Sequence, residues 1–132
     1  MVILITGKKG SGKTHYANTL LAELQSELYK VHWIDGDKFI YIKGNNDYSD
    51  EGRTKNLMEA AKEAAEYEQV GYIVLCSFIA PRKKWRYMMR KFWECSRVVY
   101  IPGGTLWPGA KYEVPSEREM RTIYNYKKEE LY

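Results

Sequence analysis

The segment VILITGKKGSGKTH, residues 2–15, constrains the fold more than any other stretch of this chain. Its first five residues are apolar or β-branched without interruption, as in a strand buried on both faces. Glycines follow at positions 7, 10 and 12, then Lys13 and Thr14, and from Ala17 onward apolar residues recur at helical spacing. This is the pattern G-x-x-x-x-G-K-[ST] set between a strand and a helix. The glycines let the backbone wrap closely around an anion. Successive N–H groups then converge on it, and the helix N-terminus adds partial positive charge. Lys13 can reach the outer phosphates of a nucleotide, and the Thr14 hydroxyl can hold Mg²⁺. Gly7, Lys8, Lys9, Gly10, Ser11, Gly12, Lys13, Thr14 and His15 are therefore the expected nucleotide-binding segment, with ATP and Mg²⁺ as expected cofactors. ATPases, GTPases and small-molecule kinases share the motif, so it does not choose a reaction.

The rest of the chain repeats the strand–helix alternation. Ala17, Leu20, Leu21, Leu24 and Leu28 predict one helical face over residues 13 to about 29. VHWID (31–35) reads as a second strand and GNNDYSD as a loop. Ser49 or Asp50 can cap a helix running to about residue 70, whose small residues Ala60, Ala61 and Ala64 allow close packing on a sheet. YIVLCSF (72–78) reads as a third strand. A helix over 81–94 follows, with Trp85, Met88, Met89 and Phe92 as its apolar stripe. RVVYI (97–101) is the fourth strand, and Ser116 with Glu119 suggests a capping box before a final polar helix. The expected architecture is α/β: a three-layer αβα sandwich on a mostly parallel sheet of about four to five strands, forming a single domain over residues 1–132. Such sheets bind ligands at the carboxyl ends of their strands.

That edge carries further candidates. Asp35 and Asp37 lie two apart and would project from one face of an extended chain. They can hold Mg²⁺ through water or take a proton from an attacking hydroxyl, or they can be the solvated carboxylates of an Asp-Gly turn. Phe78, at the end of the third strand, can stack on a base or belong to the core. Arg53 and Asn56, three apart near a helix start, form a grip for an anion or a solvated first turn. Arg82, Lys83, Lys84, Arg86, Arg90 and Lys91 make a basic stretch that allows nucleic acid as a partner, although the net charge of +4 is too small to imply it. Cys76 and Cys95 read as reduced thiols, and no Cys/His cluster has metal-ligand spacing. The longest apolar run is too short to span a membrane, and VILITG following Met1 reads as a strand, so a cytoplasmic location is expected.

Together these segments resemble the adenylylsulfate kinase family. The resemblance rests on GKKGSGKTHYA, IDGD, YSDEGRTKN and GYIVLCSFIAPRKKWR, with YEVP (112–115) as a late match. It implies a P-loop kinase fold and transfer of a phosphoryl group from ATP to the ribose 3′-hydroxyl of adenylylsulfate. By position it implies Lys13, Asp35 and Asp37 as the catalytic set, with Thr14 and Asp35 serving the metal. Asp37, Arg53, Asn56, Phe78, Ile79, Pro81 and Arg86 fall on substrate-binding positions, and a homodimer is implied as assembly. The chain departs from the family at two places. Ile40 stands where the family has a substrate-binding arginine. PGGTLWPGAK replaces a long basic lid and holds Lys111 as its one basic residue. Three functions stay open: this kinase, a kinase for another nucleotide, nucleoside or polynucleotide acceptor, and a non-catalytic ATP- or nucleic-acid-binding module. Trp107 in the shortened lid can cover the ATP adenine or pack on the body of the protein.

Overall fold

A computed structural model describes residues 1–121, 123–125 and 129–130. The elements are β1 (Val2–Thr6), α1 (Lys13–Ser26), β2 (Val31–Asp35), α2 (Gly36–Lys43), α3 (Asp50–Gln69), β3 (Ile73–Phe78), α4 (Lys83–Arg90), β4 (Ser96–Tyr100), α5 (Glu117–Arg121), β5 (Tyr124–Asn125) and β6 (Glu129–Glu130). The sheet order is β2-β3-β1-β4-β5-β6. The first four strands are parallel, and β5 and β6 add a short antiparallel extension at one edge. The mostly parallel sandwich expected from the sequence is present, with six strands in place of four to five.

Alternation along the strands builds the two faces. Val2 and Leu4 of β1, with Val74, Cys76 and Phe78 of β3, join the core under α3 and α4. Ile3, Ile5, Ile73 and Leu75 point to the other face, where Ala17, Leu20, Leu21 and Leu24 of α1 cover them. Because β1 is flanked and covered on both sides, it needs an unbroken apolar sequence. Ala60, Ala61 and Ala64 of α3 are fully buried. Their small side chains let the helix lie close to the sheet and leave room for Trp93, whose indole N–H donates to the Ala61 carbonyl at 2.9 Å.

Several expected boundaries move. The segment after β2 forms α2, because the Asp35 carboxylate caps it by accepting from the Asp37 amide at 3.2 Å. Helix α1 ends at Ser26, and Leu28 sits in a left-handed conformation, 92% exposed, outside the apolar stripe. Helix α4 ends at Arg90, four residues before the expected 94, which turns Trp93 into the core. The Ser49 hydroxyl caps α3 by accepting from Gly52, and Ser116 accepts from the Glu119 amide ahead of α5.

Candidate active site

The loop between β1 and α1 lies at the carboxyl edge of the sheet, beside the ends of β3 and β4. Gly12 caps α1 in a left-handed conformation with φ of 106°, a geometry that favours glycine and aims the start of the helix at the loop. Lys13 folds back over the loop, and its ammonium donates to the carbonyls of Gly7 at 2.9 Å and Lys8 at 2.8 Å. Burial lowers the Lys13 pKa, while the nearby carboxylates of Asp37 and Asp35 pull it back up. The buried Ser11 hydroxyl has no hydrogen-bond partner among the described residues. A helix N-terminus and an ammonium that can leave its carbonyls are what a bound polyphosphate would satisfy.

The segment after β4 is tied to this loop. Lys9 and Thr105 exchange backbone hydrogen bonds of 3.0 and 2.8 Å. Gly104 has φ of 78°, and a Cβ there would run into the Lys9 carbonyl, so glycine is required. Two residues beyond Thr105, the Trp107 ring stacks on Arg53, whose guanidinium carbon lies 4.0 Å from the ring centroid. Trp107 thus packs against a side chain of the cavity wall. Arg53 also lies 5.5 Å from the Tyr48 ring centroid and donates from Nε to the Tyr48 carbonyl at 2.9 Å. Its terminal nitrogens make no hydrogen bond among the described residues.

A cavity of about 610 Å³ runs from this loop toward α3. Of the residues expected to form a site, Lys9, Gly10, Gly12, Lys13, Thr14, His15, Asp35, Asp37, Arg53, Asn56, Phe78, Ile79 and Pro81 line it. Asp35 and Asp37 meet there by a different route from the one their spacing suggested. Asp35 closes β2 while Asp37 sits in the first turn of α2, so they do not share one face of a strand. Phe78 is 2% exposed and packs edge-to-face on Phe39, a core residue that presents part of its surface to the cavity. Asn56 is buried and accepts from the Asn45 amide at 3.1 Å, which fixes the loop between α2 and α3.

Gly7, Lys8 and Ser11 support the loop without lining the cavity. Arg86, expected to contact substrate, does not line it either. It is fully buried, donating to the Ala80 carbonyl at 2.8 Å, the Glu113 carbonyl at 2.7 Å and the Glu119 carboxylate at 3.0 Å. The basic stretch dissolves in the same way: Arg90 is buried on Ser96, and Arg82 is paired with Asp50. Lys83, Lys84 and Lys91 remain exposed. Sequence reasoning missed Asn18, Asp47 and Tyr48, which also line the cavity. Tyr48 directly precedes the Ser49 cap, and the residue before the cap of a helix aimed at the crevice is the signal that locates it.

A family model described as "Adenylylsulphate kinase" matches residues 1–131. The chain belongs to the adenylylsulphate kinase family. A probable adenylyl-sulfate kinase of Aeropyrum pernix is 31% identical over 125 residues, covering 94% of this chain and 67% of the relative. One from Archaeoglobus fulgidus is 32% identical over 127 residues, covering 94% and 76%. The chain spans 48% of the Bacillus licheniformis adenylyl-sulfate kinase, with which it is 34% identical over 94 residues. Among solved structures, the Mycobacterium tuberculosis APS kinase CysC in complex with AMPPNP and APS superposes with a TM-score of 0.69 at 23% identity, covering 76% of this chain and 61% of that one. The hexameric APS kinase from Thiobacillus denitrificans gives a TM-score of 0.69 at 27% identity, covering 90% and 24%.

Membership makes the chain a P-loop kinase that uses ATP with Mg²⁺. The residues fit both. No group of three or more His, Cys, Asp or Glu side chains is placed to hold a metal among the described residues. Thr14 and Asp35 line the cavity, and their oxygens would hold a Mg²⁺ that arrives on the nucleotide. No described helix is long and apolar enough to cross a membrane.

Proposed function

We propose that the chain transfers the γ-phosphoryl group of ATP to the 3′-hydroxyl of adenylylsulfate or a closely related nucleotide. One observation carries this reading: a single cavity joins Lys13 and Thr14 to Asp35 and Asp37, and continues to Arg53 and the Phe78–Pro81 wall. Thr14 and Asp35 would hold Mg²⁺, which would offset the charge of the phosphates. Lys13 exchanges the Gly7 and Lys8 carbonyls for phosphate oxygens. Asp37, exposed on the first turn of α2, is placed to take the proton of the acceptor hydroxyl. Asp35, already committed to the cap of α2, orients the metal side of the site. Arg53, stacked on Trp107 and with its terminal nitrogens uncommitted, takes the anionic end of the acceptor. Phe78, Ile79 and Pro81 supply an apolar wall for its base.

Ile40 lines the same cavity and favours a second reading, a different hydroxyl acceptor. An acceptor screen by ADP release separates the two. The first expects stimulation by adenylylsulfate and a 3′-phosphorylated product. Stimulation by another nucleotide, a nucleoside or a polynucleotide end, with none by adenylylsulfate, selects the second. A homodimer is the proposed assembly, and light scattering after gel filtration tests it.

A further inference from the structure

The wall at residues 79–81 is held in an unfavourable shape. Ala80 has φ of 40°, a left-handed conformation that a side chain disfavours. All three carbonyls of the wall are caught by groups from other elements. Ile79 accepts from the Thr6 hydroxyl at 2.6 Å, Ala80 from Arg86 at 2.8 Å, and Pro81 from the Glu113 amide at 2.7 Å. Behind Thr6 stands Tyr112, whose hydroxyl lies 2.6 Å from the Thr6 hydroxyl. Thr6 has one hydroxyl proton, directed to the Ile79 carbonyl, so Tyr112 is the donor of the pair. The Tyr112 ring stacks on Tyr100, with centroids 5.6 Å apart, and the Arg86 guanidinium lies 5.7 Å from its centroid. Glu119 fixes Arg86 in turn, with 1% of the Arg86 side chain and 10% of the Glu119 side chain exposed.

We propose that Tyr112, acting through Thr6, is a positioning residue that sets the acceptor wall at a fixed distance from the phosphate loop. Thr6 immediately precedes Gly7 and pairs with Phe78 at the carboxyl edge of the sheet. The relay from Tyr112 to Thr6 to Ile79 therefore joins the base of the phosphate loop to the wall at the point where the two strands part. Neither Thr6 nor Tyr112 lines the cavity, so neither touches the ligands. The inference rests on residues 79–81 being the acceptor side of the site.

The test compares Tyr112→Phe, which removes only the hydroxyl, with Thr6→Val and the conservative Thr6→Ser. KM for acceptor is expected to rise about five- to thirtyfold in Tyr112→Phe and Thr6→Val, as for loss of a buried hydrogen bond, and KM for ATP to change less than about twofold. Thr6→Ser keeps the donor and is expected to stay near wild type. Amide exchange over residues 79–84, followed by mass spectrometry, is expected to accelerate in Tyr112→Phe while β1 and β3 stay protected. Unchanged exchange at 79–84 in Tyr112→Phe overturns the relay, whatever the acceptor proves to be. Equal rises in KM for ATP and acceptor also overturn it, since they report general damage. No turnover of adenylylsulfate by the wild type, with the exchange difference present, sinks the acceptor reading and leaves the relay standing.

Discussion

Asp35 has two jobs that substitution can separate. Its carboxylate caps α2 through the Asp37 amide at 3.2 Å, and it lines the nucleotide cavity next to Lys13. Asn offers an acceptor oxygen in the same place, whereas Ala offers none. Loss of an N-cap costs about 1 kcal/mol, while Asp and Asn cap almost equally well. For a chain of 132 residues, 1 kcal/mol corresponds to roughly 3–5 °C in Tm. Asp35→Ala is therefore expected to melt a few degrees below wild type, and Asp35→Asn close to it. Both variants lose the negative charge, and both are expected to lose about 10²–10⁴ in kcat. Both also leave Lys13 with Asp37 as the one remaining carboxylate that holds its pKa up, so burial lowers it further. Thermal denaturation and coupled ADP release measure the two effects on the same samples. Equal Tm for the two variants would refute the cap. Turnover of Asp35→Asn within about threefold of wild type, less than 1 kcal/mol of barrier, would refute the charge.

Three further outcomes are expected. Lys13→Ala abolishes transfer but keeps the fold, because its two bonds go only to local carbonyls; far-UV circular dichroism and ADP release check this together. Trp93→Ala removes a fully buried ring and its bond to Ala61, and costs about 3–5 kcal/mol in urea unfolding. Burial, with smaller contributions from Glu63 and Glu68, pushes the Cys76 thiol far above its usual range. The folded state then keeps its proton while the unfolded state releases it, so stability is intact below about pH 8.5 and falls above it by up to about 1.4 kcal/mol per unit. Cys76→Ala removes that part of the slope in Tm measured between pH 8 and pH 10.

What the sequence could show follows from what kind of signal each element carries. β1 and β3 are mostly apolar runs, and α1 and α3 carry apolar residues at helical spacing, so their faces were legible. α2 was not: Phe39 is buried, but Ile40, Tyr41 and Ile42 are 40%, 90% and 72% exposed, so no apolar stripe marks it. The cap at Asp35 and the stop at Gly44 were its available signals. In the candidate site, the loop, the carboxylates and the β3 wall were readable as local motifs at one sheet edge. Arg86 was not, because its role depends on Glu119 and Glu113, far along the chain. Trp107 was ambiguous for the same reason, since it is fixed by Arg53 and by the pairing of Thr105 with Lys9.

The sheet order also has a consequence for how the chain is made. β1 is synthesised before both strands it pairs with, β3, where Val2 meets Val74, and β4, where Val2 meets Ser96. At about 5–20 residues per second, β3 follows β1 by several seconds, and Tyr112 comes later still. During that interval VILIT is an apolar, β-branched segment with neither edge paired, the kind of segment that associates with other chains. Lys8 and Lys9 follow it almost at once. Their charges discourage such association, so two residues of the loop after β1 also guard the nascent strand.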